Sequence, residues 1–140
     1  MDDEHRTEVV RRSHEAFNER DRDGFLGSLA HDVVWHVPGR HPLAGTYHGR
    51  ESVWADFMDP MWASPARVED EQILVRGDHV VALGHSVHNF GAGEQHFETV
   101  EVLRVEDGRV AERWEFTSGQ AELDTFFTRG CAAAAEQVAD

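Results

Sequence analysis

Four side chains in this sequence have the chemistry and spacing to move protons: His36, Glu101, Arg113 and Glu115. An imidazole titrates near neutrality, so His36 suits a proton shuttle acting on a C–H or O–H acid. Its alternative is a structural role, held by a backbone carbonyl or orienting a neighbour. Arg113 and Glu115 lie two apart on a strand-type run and so point the same way. In a pocket they would polarise a substrate oxygen and move a proton; on a surface they would be an ion pair of little energetic value. Glu101 shares a strand face with Thr99 and Leu103. In a cavity, desolvation would raise its pKa and make it an acid or a hydrogen-bond donor. Otherwise it pairs with an arginine across the sheet.

The element that positions three of these residues is the stretch 99–116, two alternating runs broken at Glu106-Asp107-Gly108. Asp-Gly between such runs is the strongest short-range hairpin signal. Alternation sorts the second run into Val110, Glu112, Trp114 and Phe116 against Ala111, Arg113 and Glu115. The first set then packs on a partner subunit or on other parts of the chain. His36 lies in another strand-type run, 32–37, stopped by Pro38-Gly39; there Val34 and His36 share one face, and Val33, Trp35 and Val37 the other.

The remaining elements follow from periodicity. Residues 5–20 read as a helix with Val9, Val10, Ala16 and Phe17 on its apolar stripe, and Ser13 as the stripe's one polar intrusion. Asp21 N-caps a second short helix bearing Phe25, Leu26 and Leu29. A loop rich in Pro, Gly and His spans 40–49. A third helix, 50–58, carries Val53, Trp54, Phe57 and Met58 and is closed off by Pro60. Strands at 68–75 and 79–90 follow, then a turn at 91–93. Thr117-x-x-Gln120 has capping-box spacing before a helix with Leu123, Phe126 and Phe127. The order predicts an α+β fold, with helices on one face of a curved antiparallel sheet and a ligand cavity between them. Ser13, Phe17, Trp35, Trp54, Phe57, Trp62, Thr99 and Leu103 are the candidates to line it. Phe90 is a further wall candidate, although aromatic residues at these spacings also serve as plain core.

Composition narrows the function. The chain has 27 Asp+Glu against 13 Lys+Arg, a formal net charge of −14, and every basic residue among the 13 is arginine. Such a surface repels phosphate backbones and anionic membranes, so neither nucleic acid nor membrane is an expected partner. One cysteine, Cys131, leaves no intrachain disulfide and no cysteine-based metal cluster. His36, His41 and His48 have no ligand spacing, and His85 and His88 face opposite ways on a strand, so no metal site is expected. No signal-type or membrane-length apolar run occurs, and a soluble cytoplasmic protein is the default expectation.

Four segments resemble a known family: 17–21 (Phe-Asn-Glu-Arg-Asp), 32–39 (Asp-Val-Val-Trp-His-Val-Pro-Gly), 42–51 (Pro-Leu-Ala-Gly-Thr-Tyr-His-Gly-Arg-Glu) and 107–116 (Asp-Gly-Arg-Val-Ala-Glu-Arg-Trp-Glu-Phe). Their wording and order are similar to the SnoaL-like branch of the nuclear transport factor 2-like superfamily, which also holds ketosteroid isomerases and polyketide cyclases. The resemblance implies a cone-shaped α+β domain over 1–128, with an Ala-rich tail at 129–140. It places His36 where the isomerases keep their general-base carboxylate and Glu101 where they keep the protonated acid of the oxyanion hole. Arg113 and Glu115 fall near the Arg-x-Asp pair of limonene epoxide hydrolases, and Glu115 near the acid/base aspartate of the cyclases. The isomerase hydroxyl donor has no tyrosine counterpart; Ser13 is the nearest match. The implied function is cofactor-free isomerisation, cyclisation or addition or removal of water on a small hydrophobic polyketide-, steroid- or terpenoid-like molecule. In that scheme His36 and Glu115 shuttle protons, while Glu101 and Arg113 stabilise negative charge. The alternative is a non-catalytic small-ligand-binding or dimeric interaction module on the same fold. A homodimer is expected by analogy with relatives.

Overall fold

The sheet grows from the turn at Asp107-Gly108, where both residues take positive φ, 53° and 76°. This is the type I′ arrangement, whose twist matches right-handed strands. It joins β5 (Gln95–Glu106) to β6 (Arg109–Thr117) in antiparallel register, setting Glu101 opposite Glu115 and Leu103 opposite Arg113. The computed structural model describes residues 2–62, 65–89 and 93–139. Phe90 and most of the expected 91–93 turn lie outside the described residues.

Before the hairpin come β1 (Leu29–Val37), β2 (Gly45–His48), β3 (Ala66–Arg76) and β4 (His79–His88). The six strands form one open, curved sheet in the order β2-β1-β6-β5-β4-β3. Four of its five pairings are antiparallel, as expected, but β1 runs parallel to β6. The direction of β6 is set by its tight hairpin with β5, so β1 has to accept it as it comes. Strand β2 is a further departure, since the 40–49 segment reads as a loop. It is short and exposed, and pairing with β1 rather than apolar alternation holds it.

Helix α1 (Asp3–Glu19) starts at Asp2, whose carboxylate accepts from the backbone N–H of His5, and α2 (Arg22–Gly27) starts at Asp21 in the same way. Both pack on one face of the sheet, α1 against β3 and α2 against β1. The expected third helix is there but longer and wider. It opens as α3 (Arg50–Ser52), expands into a π-helical turn at Val53–Met58 and closes as α4 (Asp59–Met61), with Pro60 inside it rather than ending it. Helix α5 (Gln120–Ala139) runs unbroken past residue 129. Thr117 and Gln120 form no capping box: the Gln120 amide donates forward to Asp124 Oδ1. Among the described residues no helix is long and apolar enough to cross a membrane.

The core lies between helices and sheet, with Val10, Phe25, Leu29, Val33, Leu103 and Val105 almost wholly enclosed. Val110 joins them rather than the outer face; the register shift between Arg104 and Val105 breaks simple alternation at that end.

A second irregularity matters more. Asp70 pairs with Gly84 and Gln72 with Leu83, so Glu71 is an extra residue, a β-bulge in β3. Without it, Val68 and Asp70 would lie on the opposite face from Ile73 and Val75. The bulge turns all four inward. Gly84 makes room for it, since a Cβ there would collide with the carbonyl oxygen of Glu69. Gly84→Ala should therefore cost about 2–3 kcal/mol in urea unfolding. Gly27→Ala, in open space at the end of α2, should be neutral or stabilising by up to about 1 kcal/mol.

Candidate functional site

Five ionisable side chains meet on the inner face of the sheet, in the order Asp70, His14, Glu101, Arg113, Glu115. Helix α1 presents His14 one residue after Ser13, on the buried side of its third turn. The His14 ring donates from Nδ1 to Asp70 Oδ2 at 2.6 Å. Its Nε2 lies 3.0 Å from Glu101 Oε1, close in charge but poorly aligned as a hydrogen bond. Arg113 donates from Nε to Glu101 Oε2 at 2.9 Å, and its Nη2 lies 3.2 Å from Glu115 Oε1. The third guanidinium nitrogen, Nη1, is 3.4 Å from the His36 carbonyl, and the guanidinium carbon lies 4.6 Å from the centre of the Trp35 ring.

Signs alternate along this chain, and the titration behaviour follows. Burial works against charge on His14, yet Glu101 and Asp70 outweigh it and push its pKa up to about 10. Burial likewise works to raise Glu101, but His14 and Arg113 prevail and hold its carboxyl well below the usual range. Glu115 ends up differently. Burial and then the Glu101 charge outweigh Arg113, and its pKa is raised. Three carboxylates share two cations, and Glu115 is the one left least compensated.

These groups, Asp70 apart, line one end of an apolar cavity walled by Phe17, Phe25, Trp35, Phe57, Met58, Met61, Leu103, Leu123 and Phe127. The cavity volume is only about 60 Å³, within an envelope of about 730 Å³ that includes the open mouth. The space is thus slender. A ligand with a two-ring body enters only as side chains yield, and Met58 and Met61 are the adaptable part of the wall. The π-helical turn places Phe57 and Met58 there, a position such turns often hold in functional sites. On the far side lie Ser86, His88 and His41.

The structure divides the sequence-predicted residues. Glu101, Arg113 and Glu115 are brought together in the cavity with Ser13, Phe17, Trp35, Phe57 and Leu103. His36 is not. Trp35 takes the inward position on β1, so His36 points to the other sheet face, where Nε2 sits 2.7 Å from Glu112 and the ring stacks on Trp114. His36 therefore takes no part as a proton shuttle in this cavity. Glu101 is a paired carboxylate and not the neutral hydrogen-bond donor expected from desolvation. Trp54 and Trp62 do not line the cavity; they pack on each other, and Trp62 also on Phe17 and Phe25. Thr99 is buried, but further along β5, in register with Gly84 and Thr117. Of the two strand histidines, His85 pairs outward with Glu71 and His88 turns into the cavity. Sequence reasoning missed His14, Asp70, Ser86 and His88. The signal for His14 was present: it sits four residues after Val10 on the apolar stripe of α1.

An open cone of helices and sheet around a polar-ended apolar pocket defines a class, the nuclear transport factor 2-like proteins. The chain belongs to the SnoaL-like domain family, whose model matches residues 10–113. It is similar to an uncharacterised protein of Mycobacterium tuberculosis, 29% identical over 130 residues that cover 91% of this chain and 99% of that one. Among solved structures it is similar to an NTF2-like protein of unknown function from Burkholderia pseudomallei, with TM-score 0.79 and 29% identity over 89% of this chain and 98% of that one. It also shares its fold with TerC, crystallised with polyporic acid, at TM-score 0.76 and 19% identity over 89% and 98% of the two chains.

The two buried histidines give stability a shape in pH. Between the ordinary value of 6.5 and about 10, folded His14 keeps a proton that the unfolded chain releases, so stability falls as pH rises. His88 is the reverse: burial lowers its pKa to about 4, so between 6.5 and 4 the unfolded chain gains a proton that the folded one refuses. Stability should slope down on both sides of about pH 6.5 in urea midpoints. His14→Gln should flatten the alkaline slope and cost about 3–5 kcal/mol at neutrality, since it removes the cation of Asp70 and one of the two cations that hold Glu101.

Proposed function

We propose that this protein is a cofactor-free acid–base enzyme acting on a small, mostly apolar molecule, with Glu115 as the proton carrier. The observation that carries the reading is a carboxyl group of raised pKa on the wall of an apolar cavity, beside a buried arginine. A carboxylate with a raised pKa is a stronger base than one in water, and desolvation sharpens its pull on a weakly acidic C–H bond. In the simplest step Glu115 takes a proton from the carbon next to a carbonyl. The electron pair moves onto the carbonyl oxygen, and in a substrate whose carbon–carbon double bond flanks that carbon the same carboxyl returns the proton at the far end of the resulting dienolate, so that the double bond shifts. Isomerisation needs only this; cyclisation adds attack of the carbanion on a second carbonyl. The adjacent Arg113 charge offsets the negative charge that develops, while His14 and Glu101 hold Arg113 in place. The co-crystallisation of TerC, which shares this fold, with polyporic acid supports a small organic ligand here.

A second reading, a ligand-binding module that does no chemistry, is favoured by one feature. All three Arg113 nitrogens face acceptors of the protein itself, which leaves the guanidinium less available to a substrate oxygen. The two readings part on a simple substrate. With 2-tetralone in D₂O, wild-type protein should speed exchange of the C1 protons, followed by NMR. Glu115→Gln should slow it about 10²–10³-fold, and His36→Ala should leave it within about twofold. Saturable binding of 2-tetralone with no exchange above buffer would replace the enzyme with the binding module.

The partner proposal is a second copy of the chain. Leu74, Val81, Val102 and Trp114 fall in register in one row across the outer sheet face, and Leu74 and Phe116 are 48% and 54% exposed. An apolar band of this kind on an otherwise acidic protein suits an isologous contact. Sedimentation velocity should give a dimer, and Phe116→Glu a monomer.

A further inference from the structure

The far end of the cavity holds a pair of polar side chains that the acid–base chemistry does not use. Ser86 and His88 are two residues apart on β4, so both turn inward, and both line the cavity. They are deeply enclosed, at 4% and 6% exposure. Among the described residues, neither Ser86 Oγ nor His88 Nδ1 has a hydrogen-bond partner. Around them the surroundings are aromatic: the His88 ring contacts Phe97 and lies edge-on to Phe127, 4.8 Å between centroids, and His41 stacks on Phe127 at 5.0 Å.

Leaving two polar groups unmatched in an apolar wall is costly, because each loses its water without gaining a partner. Sequences keep such local conflicts where a ligand resolves them. We propose that Ser86 and His88 form a second subsite of the pocket, which receives an uncharged oxygen function, a hydroxyl or a carbonyl, at the end of the ligand remote from Glu115. The proposal rests on the acid–base pocket described above and names its substrate class: an apolar body with an oxygen function at each end.

Charge and length both point this way. Among the described residues an anion has no cation to meet at this end, since burial lowers the pKa of both His88 and His41 and so favours their neutral forms. A cation would find its carboxylates at the other end of the cavity. A neutral oxygen fits both groups, because a serine hydroxyl donates or accepts and a neutral imidazole nitrogen does either according to its tautomer. Ala82 is registered opposite Glu101, and Ser86 lies four residues further along β4, about 13 Å. The two ends are therefore separated by an apolar body on the order of 10 Å long, the size of two fused rings and their substituents.

The test uses 2-tetralone and 6-hydroxy-2-tetralone, which differ only in a hydroxyl at the end away from the ketone. Dissociation constants come from quenching of tryptophan fluorescence, independent of any turnover. Wild-type protein should bind the hydroxylated ketone roughly tenfold more tightly. In Ser86→Ala that ratio should fall to about one, and His88→Phe should reduce it as well. Glu115→Gln should leave the ratio unchanged, because it acts at the other end. Free Ser86→Ala protein should also melt about 3 °C higher than wild type, since an unmatched hydroxyl is gone. Equal affinity of the two ketones for wild type would overturn the subsite and leave the pocket reading standing. A lower melting temperature for free Ser86→Ala would overturn it too, by giving the hydroxyl a structural partner. Failure of both ketones to bind would overturn the pocket reading and this inference with it.

Discussion

Four charges threaded through an apolar interior, with Asp70 joining them at its edge, are the constraint on which this structure depends. Each would be expensive to bury alone, and the cost is contained because carboxylate and cation alternate from Asp70 to Glu115. The arrangement ties separate elements to one another. Helix α1 must deliver His14, the β3 bulge must turn Asp70 inward, and the β5–β6 hairpin must hold Glu101 beside Arg113. Loss of His14 or Arg113 would leave a carboxylate at that end of the chain without its cation. The geometry is thus specified by electrostatics as much as by the fit of apolar side chains.

That same chain creates the chemistry. With two cations among three carboxylates, compensation is uneven, and the shortfall falls on the terminal member, Glu115. The interior holds Glu101 ionised and inert while its neighbour two residues past Arg113 becomes responsive. Two glutamates directly opposite each other in one hairpin acquire opposite behaviour from their neighbours alone.

Much of this was legible in the sequence. Asp107-Gly108 marked the hairpin, and alternation correctly set Arg113 and Glu115 on one face and Trp114 and Phe116 on the other. The amphipathic stripe of α1 and the two aspartate caps were also readable, because helix starts and periodicity are local signals. His36 shows the limit of local alternation. Residues 33–37 are apolar on both faces of β1, apart from the histidine, so alternation sorted two faces without saying which was inside. Trp35 took the interior because only that face meets Phe25 and Phe57. Asp70 was hidden by a bulge: its spacing to Ile73 and Val75 is odd, and only pairing with β4 restores a common face. The parallel meeting of β1 and β6 was equally beyond reach, since residues far apart in the chain decide it.

The sequence by itself determined the class of fold, the family, the hairpin and the set of residues available for acid–base work, all properties carried by short-range pattern and composition. Tertiary structure alone decided which of those residues share a cavity and what charge each carries there. A pKa depends on burial and on neighbours brought in from distant strands and helices, so the roles of His14, Glu101 and Glu115 exist only once α1, β3, β5 and β6 have met.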